Sequence, residues 1–455
     1  MEYSLEDFKN YIEHYLVCEN SDRLPQLTEE IYSQITQCQI QTPHILIAER
    51  EPVRFIASFM AACSAGYPVF LCNPDWKKQE WQQVCSLVQP DIILASNQLP
   101  IINYQLPIIN YQLPITNYQL PITNQIMIPT GGSSGKIKFA IHTWETLTAS
   151  VTGFQQYFQL QQVNSYCVLP LYHVSGLMQF MRSFTSKGKL VIQNFKQLER
   201  REKYQVNPVD FFISLVPTQL QRLLQNSLLK DQLSQFQTVL LGGAPAWNEL
   251  LAEARSNKIP LALTYGMTET ASQVATLKPE DFLQGKDNCG KILPHAKVEI
   301  CSARNQIGNI KIQSKSLALG YYPNVFETPE LILDDLGYLD SQGYLNIIGR
   351  SSEKIISGGE NLYPIEIEIA IRDTQMVKDI CIIGIPDPHW GQAVTAIYVP
   401  NSSTCVTTLQ ATLKNKLSRF KIPKYWISLT ALPRNTQGKI NRQHLQQLAL
   451  TSLQK

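Results

Sequence analysis

Between Pro129 and Ala140 the chain reads PTGGSSGKIKFA, which sets Gly131, Gly132 and Gly135 among the hydroxyls of Thr130, Ser133 and Ser134 and ahead of Lys138. Glycines let a backbone take positive φ and approach a ligand closely. Hydroxyls and N–H groups donate to anionic oxygens, and lysine adds a point charge, so such a loop suits phosphate. It is not a Walker loop, because the G-x-x-x-x-G-K-[ST] spacing needs a glycine where Thr130 stands and a hydroxyl where Ile137 stands. Alone, a Gly/Ser cluster is more often an ordinary turn. Its meaning depends on what the rest of the chain sets beside it.

Six other stretches carry residues able to do chemistry. TYGMTET, Thr264–Thr270, follows an apolar strand, the usual place for ligand groups in an open α/β sheet. There Thr268 can donate to a phosphate oxygen and Glu269 can ligate Mg²⁺ or its waters; Thr268 or Thr270 could equally be capping a helix. LGGAP, with Gly242 and Gly243, is a second glycine turn between strand and helix, and its backbone could lie against a flat purine or simply turn. PLYHVSGLMQFMRSF holds His173, Ser175, Gly176 and Arg182. An arginine on a mainly apolar face needs an anion, from a protein carboxylate or from a substrate. DDLGYLDSQGYLNIIGR, Asp334–Arg350, reads as a turn-rich hairpin in which Asp335 can accept both ribose hydroxyls. Beyond it, Gly358 and Gly359 form an αL-type turn before a helix at Tyr363–Pro364. Lys439 sits in the loop PRNTQGKINR.

The elements that must position these groups follow a βα rhythm. HILIA, YPVFLC and DIILA are short apolar strands separated by the helical patterns PVRFIASFMAACSAG and WKKQEWQQVCSLV. Such alternation indicates a parallel sheet. From Asn97 to Asn124 a seven-residue unit recurs, as in NYQLPII and NYQLPIT. Proline at 100, 107, 114 and 121 excludes a coiled coil, so residues 97–124 read as a low-complexity insertion. IMIP and KFAI flank the glycine loop as strands, and a helix starts after Thr143. The rhythm resumes through YCVLPL, GKLVIQ, VDFFISLV, TVLLGGAP and PLALTYG, then yields after about residue 290 to smaller antiparallel strands. The predicted fold class is α/β: a large N-terminal domain of βαβ layers over 1–350 with a small antiparallel β subdomain, and a small α+β domain over 351–455.

Composition narrows the partners. Lys plus Arg is 39 against 37 for Asp plus Glu in 455 residues, so no bulk field attracts nucleic acid or anionic lipid. The 10 cysteines are scattered without a C-x-x-C pair or a clustered His/Cys set, which suggests neither zinc nor disulfides. No stretch resembles a signal peptide or is long enough to span a bilayer. The expectation is a cytoplasmic protein acting on small molecules.

In order along the chain, these motifs resemble the acyl-adenylate-forming superfamily of acyl-CoA synthetases, adenylation domains and luciferases. PTGGSSGKIK stands where that family has T-S-G-T-T-G-x-P-K, with Gly131 replacing a serine and Ile137 a proline. Within the superfamily, PLYHVSGLMQFMRS, SLVPTQLQRLL, LLGGAPAW, TYGMTETASQ and Ser352 are most similar to the o-succinylbenzoate–CoA ligases of menaquinone and phylloquinone synthesis. The resemblance implies ATP, Mg²⁺ and coenzyme A as ligands and an aromatic carboxylate as substrate. It implies that Thr130, Gly131, Gly132, Ser133, Ser134, Gly135 and Lys138 hold phosphates. Gly242, Gly243, Ala244, Tyr265, Gly266, Met267, Asp335 and Arg350 would hold the nucleoside. Thr268, Glu269, His173 and Lys439 would be catalytic, with Glu269 on the metal. His173, Ser175, Gly176 and Arg182 would line the acid site, Gly358 and Gly359 the CoA tunnel, and Ser352 would be the hinge of a mobile lid. Another aryl or fatty acyl-CoA ligase, or an adenylation enzyme loading a carrier protein, would share these motifs. A nucleotide-binding regulator would lack a use for Lys439 and Glu269.

Overall fold

The computed structural model describes residues 8, 11, 16–38, 40–95, 124–131, 136–200, 206–304, 306–401, 405–434 and 440–453. Most of the repeat unit, 97–123, lies outside them, as do Gly132 to Gly135 and Lys439.

Apolar runs too short for helices become buried strands. Ile45–Ile47, Val69–Leu71 and Phe211–Leu215 have every one or nearly every residue buried, as parallel strands covered on both faces require. Among the described residues they fall into two large sheets. One has seven strands and includes, side by side, Ile137–Thr143, Gln125–Gly131, Val69–Leu71, Ile45–Ile47 and Ile92–Leu94. The other has eight, with Asn164–Cys167, Phe211–Leu215, Thr238–Leu241 and Leu261–Met267 parallel and adjacent. Helices Pro52–Ser64 and Val174–Ser186 present Phe55, Phe59, Met60, Leu177, Phe180 and Phe184 to a shared core. Proline opens the helices Pro52–Ser64, Pro217–Leu224 and Pro364–Arg372, where a missing N–H costs nothing because the first-turn donors have no intrahelical partner.

The expected strands on either side of the glycine loop are there. Gln125–Gly131 and Ile137–Thr143 pair antiparallel, with Thr130 opposite Lys138 and Gly131 opposite Ile137. Thr143 then caps the helix Trp144–Phe158, its hydroxyl accepting from the Thr146 N–H. The hairpin enters the sheet at a fixed point, since the Asn124 N–H donates to the Gly66 carbonyl at 3.1 Å.

Beyond residue 290 the expected antiparallel strands form a four-stranded sheet, Ala296–Arg304, Ile307–Ser314, Glu330–Leu339 and Leu345–Arg350. Here one expectation is corrected. Asp334 and Asp335 belong to the strand Glu330–Leu339, and Asp335 pairs with Arg350 across the ladder. The turn falls later, where the Gly343 N–H donates back to the Asp340 carbonyl. From Ile355 onward a separate five-stranded sheet, in which Gly391–Pro400 is central and pairs along its length with the edge strand Val377–Asp387, packs helix Pro364–Arg372 over Ile355, Ile380, Ile382 and Val394. Gly358 and Gly359 form the turn inside it, with φ of 61° and 87°, as expected.

Candidate active site

The strand Leu261–Met267 is longer than its parallel neighbour. Leu261 to Leu263 pair with Val239 to Leu241, while Thr264 to Met267 run on and pair antiparallel with Ser272–Thr276. TYGM is therefore itself strand, a difference from the expectation that it lies just past one. The extension lifts Thr268 and Glu269 clear of the sheet end and delivers them into a single 3₁₀ turn, Thr268–Thr270. Gly266 is required on this path, since a Cβ there would lie 2.1 Å from the Ser272 carbonyl oxygen. Thr270 plays the capping role, taking the Met267 N–H on its hydroxyl at 3.0 Å, which leaves the Thr268 side chain outside that cap.

Glu269 is the centre of the arrangement. Its side chain is drawn between two elements distant in sequence: the Tyr321 phenol donates to Oε1 at 2.6 Å and the Thr130 hydroxyl lies 3.4 Å from the same atom. The residue is 8 % exposed, and among the described residues it has no ion-pair partner. A buried carboxylate without a counter-charge is costly, so the position suits an added cation. Among the described residues no group of three or more His, Cys, Asp or Glu could hold a metal. One carboxylate fits Mg²⁺ nonetheless, because that ion is commonly held by one or two carboxylates, waters and substrate phosphates. The Lys138 ammonium lies 4.9 Å from the Tyr321 ring centroid, so the hairpin of the glycine loop, the phenol and the carboxylate meet in one place. Burial, and then the Glu269 charge, push the Tyr321 phenol well above its ordinary range, keeping it protonated and a donor.

Beneath this turn lies His142, wholly buried on the strand Ile137–Thr143. Its Nε2 is 2.8 Å from the Thr268 carbonyl oxygen and its Nδ1 is 3.0 Å from the Thr146 hydroxyl. A carbonyl only accepts, so Nε2 carries the proton. Burial lowers the pKa of His142 to about 4, so the ring is neutral and pins the turn through its backbone. The sequence reading missed both Tyr321 and His142. The available signal for His142 was a histidine on the buried stretch of a strand beside the loop; for Tyr321 there was none, since its role depends on pairing with Ala140 across the sheet.

A second cluster is built around Asp335. The Tyr265 phenol donates to Asp335 Oδ2 at 2.6 Å, and the Arg350 guanidinium donates to Oδ1 at 3.0 Å. Gly242 packs against Thr264, where a Cβ would come within 2.4 Å of the threonine hydroxyl. Gly243 follows at φ 81°, and Ala244 is exposed just beyond. These residues follow directly on the end of the strand Thr238–Leu241.

The third cluster contains Arg182, which is 3 % exposed. Its Nη2 donates to the Ser272 hydroxyl at 3.0 Å and to Gln273 Oε1 at 2.9 Å, and its guanidinium stacks 4.4 Å from the Phe154 ring centroid. Its Nε has no partner, and among the described residues no carboxylate pairs with it. Burial lowers its pKa to about 9. The protein carboxylate that the sequence left open as a partner is thus absent from the described residues. His295 lies nearby, its pKa lowered to about 4 by burial and then by the Arg182 charge. His173 is the N-cap position of the helix that carries Arg182. Ser175 accepts from Gln179 through its carbonyl at 3.0 Å, and Gly176 packs onto Pro170, whose carbonyl oxygen would lie 2.1 Å from a Cβ.

Gly358 and Gly359 are not in contact with these clusters. The Gly358 N–H donates to the Trp390 carbonyl at 2.9 Å, within the C-terminal sheet. Ser352 is tied to Asp334 by its N–H at 3.0 Å and by its hydroxyl.

Residues 39–322 match the family model for the AMP-binding enzyme, and residues 366–439 match that for the AMP-binding enzyme C-terminal domain. The 2-succinylbenzoate–CoA ligase of Listeria monocytogenes is 35% identical over 325 residues, covering 70% of this chain and 68% of the relative. That of Bacillus cytotoxicus is 30% identical over 388 residues, covering 82% and 80%. Among solved structures, o-succinylbenzoate CoA synthetase from Bacillus subtilis in complex with its acyl-adenylate intermediate gives a TM-score of 0.82 at 24% identity, over 96% of this chain and 97% of that one. The same enzyme with ATP and magnesium ion gives 0.81 at 23% identity, over 96% and 98%. The fold is therefore the expected α/β arrangement.

Proposed function

Because this chain belongs to the AMP-binding enzyme family, we propose that it is an ATP-dependent acid–thiol ligase that adenylates o-succinylbenzoate and passes the acyl group to coenzyme A. The observation that carries the reading is Glu269, a buried carboxylate with no counter-cation among the described residues, gripped by Tyr321 and Thr130 beside the glycine hairpin.

In the first half-reaction a carboxylate oxygen of the acid attacks the α-phosphorus of ATP. The bond to the bridging oxygen of the β-phosphate breaks, and pyrophosphate leaves with that oxygen. The task is positioning and charge stabilisation. Glycine-loop groups, with Thr130 and Lys138, hold the β- and γ-phosphates. Thr268, its turn pinned by His142, presents its hydroxyl to the α-phosphate. Mg²⁺ when bound neutralises charge on the phosphates, and Glu269 is the residue that holds it. Tyr265 and Arg350 fix Asp335 so that both of its oxygens can accept from the ribose, and Gly242 to Ala244 lie against the base. Lys439 bridges the acid carboxylate and the α-phosphate. In the second half-reaction the CoA thiolate attacks the acyl carbon and AMP leaves.

The acid is assigned from Arg182. Its free Nε and the absence of a carboxylate partner among the described residues fit a dianionic substrate, whose second carboxylate takes the place of that anion. His173, Ser175 and Gly176 belong to the same helix start and are read as the near wall of that site. Residues 351–455 are read as a lid hinged at Ser352, which withdraws Lys439 and brings Gly358 and Gly359 to the pantetheine between the two steps. No helix among the described residues is long and apolar enough to cross a membrane, and the free cysteines fit a reducing compartment such as the cytoplasm.

ATP–pyrophosphate exchange measured across a panel of aromatic and aliphatic acids tests the reading. Exchange should be strongest with o-succinylbenzoate, followed by thioester formation when CoA is added. Exchange with a fatty acid and none with o-succinylbenzoate would reject the substrate assignment.

A further inference from the structure

Successive residues of a strand point to opposite faces, and the pair Asp334–Asp335 uses both. Asp335 turns toward Tyr265 and Arg350. Asp334 turns toward the chain that leaves the four-stranded sheet. The Ser351 N–H donates to the Asp334 backbone carbonyl at 2.8 Å. The Ser352 N–H donates to Asp334 Oδ1 at 3.0 Å, and the Ser352 hydroxyl donates to Oδ2. Three donors of the segment joining the two parts of the chain thus end on one residue, and two of them end on its carboxylate.

We propose that Asp334 is a positioning residue that clamps the Ser352 hinge and so sets the balance between adenylation and thioester formation. The proposal rests on the reading of Ser352 as the hinge. A rotation about φ of residue 352 swings its Cβ and hydroxyl relative to Asp334, while its N–H, which lies in the preceding peptide plane, keeps its carboxylate oxygen. The hydroxyl bond must open for the lid to swing by that rotation, while the N–H bond anchors the pivot. Its placement also joins it to the nucleotide: Asp335, the ribose acceptor, is its immediate neighbour, and Arg350, which holds Asp335, lies two residues before the hinge. A carboxylate accepts from both donors at once. An asparagine could take only one of them on oxygen, and an aspartate at position 352 would oppose two like charges.

The test uses the full chain and two kinds of readout. Hydrogen exchange is followed on peptides spanning residues 348–356, and the two half-reactions are assayed separately, by ATP–pyrophosphate exchange and by CoA acylation from preformed acyl-adenylate. Asp334→Ala should speed exchange of that segment and change the ratio of the two half-reaction rates, each by roughly three- to tenfold, the scale of one or two partly exposed hydrogen bonds. The melting temperature should move little, because the pair is exposed. Ser352→Ala should shift the ratio in the same direction, and the double variant should add nothing further. An unchanged ratio in Asp334→Ala, or additive shifts in the double variant, overturns the clamp. Ser352→Pro separates the underlying reading. If it alters the ratio while Asp334→Ala does not, the hinge stands and the clamp falls; if neither alters it, hinge and clamp fall together. Without turnover in any variant, unchanged exchange over 348–356 in Asp334→Ala still rejects the clamp.

Discussion

The Tyr265 phenol and the Asp335 carboxylate are joined by a hydrogen bond of 2.6 Å across 70 residues of sequence. Burial, and then the Asp335 charge, push the phenol far above its ordinary range, so it remains a donor at any physiological pH. With Arg350 on the other oxygen, the carboxylate is held before nucleotide arrives. Tyr265→Phe should raise the KM for ATP by roughly three- to tenfold, the scale of one hydrogen bond to a charged group discounted for exposure, with kcat little changed. Steady-state kinetics at varied ATP checks this, and an unaltered KM would remove Tyr265 from the nucleoside site.

Arg182→Ala should raise the KM for o-succinylbenzoate by at least about tenfold, as expected for a lost charge-assisted bond in a buried setting. The KM for ATP should stay near its original value, since the guanidinium contacts Ser272, Gln273 and Phe154. An unchanged KM for the acid would sink Arg182 as the substrate's partner.

Lys439→Ala should abolish ATP–pyrophosphate exchange while leaving CoA acylation from preformed acyl-adenylate within about threefold of normal, because an ammonium bridging two anions matters while they are being joined. Equal loss of both steps would refute the role.

His142 gives a pH dependence with a definite sign. In the unfolded chain its pKa is about 6.5, whereas burial lowers it to about 4 in the fold. The folded state therefore binds fewer protons. Its contribution is complete above pH ~6.5 and is lost as the pH falls toward 4, an effect of roughly 2 to 3 kcal/mol. His295, also lowered to about 4, acts in the same direction. His142→Gln keeps an N–H for the Thr268 carbonyl, so it should lose some stability at pH 7.5 yet show a shallower decline in melting temperature between pH 6.5 and 4.5. A parallel pair of pH curves would contradict this.

Much of this arrangement is legible in the sequence, for physical reasons that differ by residue. The strands and helices around Ile45, Val69 and Phe211 announce themselves through local apolar runs, and Thr143 announces its helix by capping. Glu269 and Thr268 were identifiable because a short polar motif follows an apolar strand. Asp335 was found, but in the wrong local setting: the glycines and serine that follow it, Gly337, Ser341 and Gly343, suggest a turn, while ladder pairing with Leu345–Arg350 keeps it extended. Tyr321, His142 and Asp334 act through partners 52, 126 and 18 residues away. Contacts of that kind leave no periodicity or spacing in the chain, so only the tertiary pairing reveals them.

The junction of Asn124 with Gly66 bears on how this sequence can change. The NYQLPI units lie between Ala95, at the end of one strand segment, and Asn124, which re-enters the sheet at a set place. Copying or deleting a whole unit alters the length of chain spanning two anchored points, at an entropic cost that grows only with the logarithm of length. Thr130 stays opposite Lys138 whatever the copy number. A single residue inserted after Asn124 would do what an entire extra unit before it does not: it would slip the strand that follows against its neighbours and exchange the two buried faces of its side chains. Length variation in this protein is thus expected to be tolerated in multiples of the repeat on one side of Asn124 and rejected one residue at a time on the other.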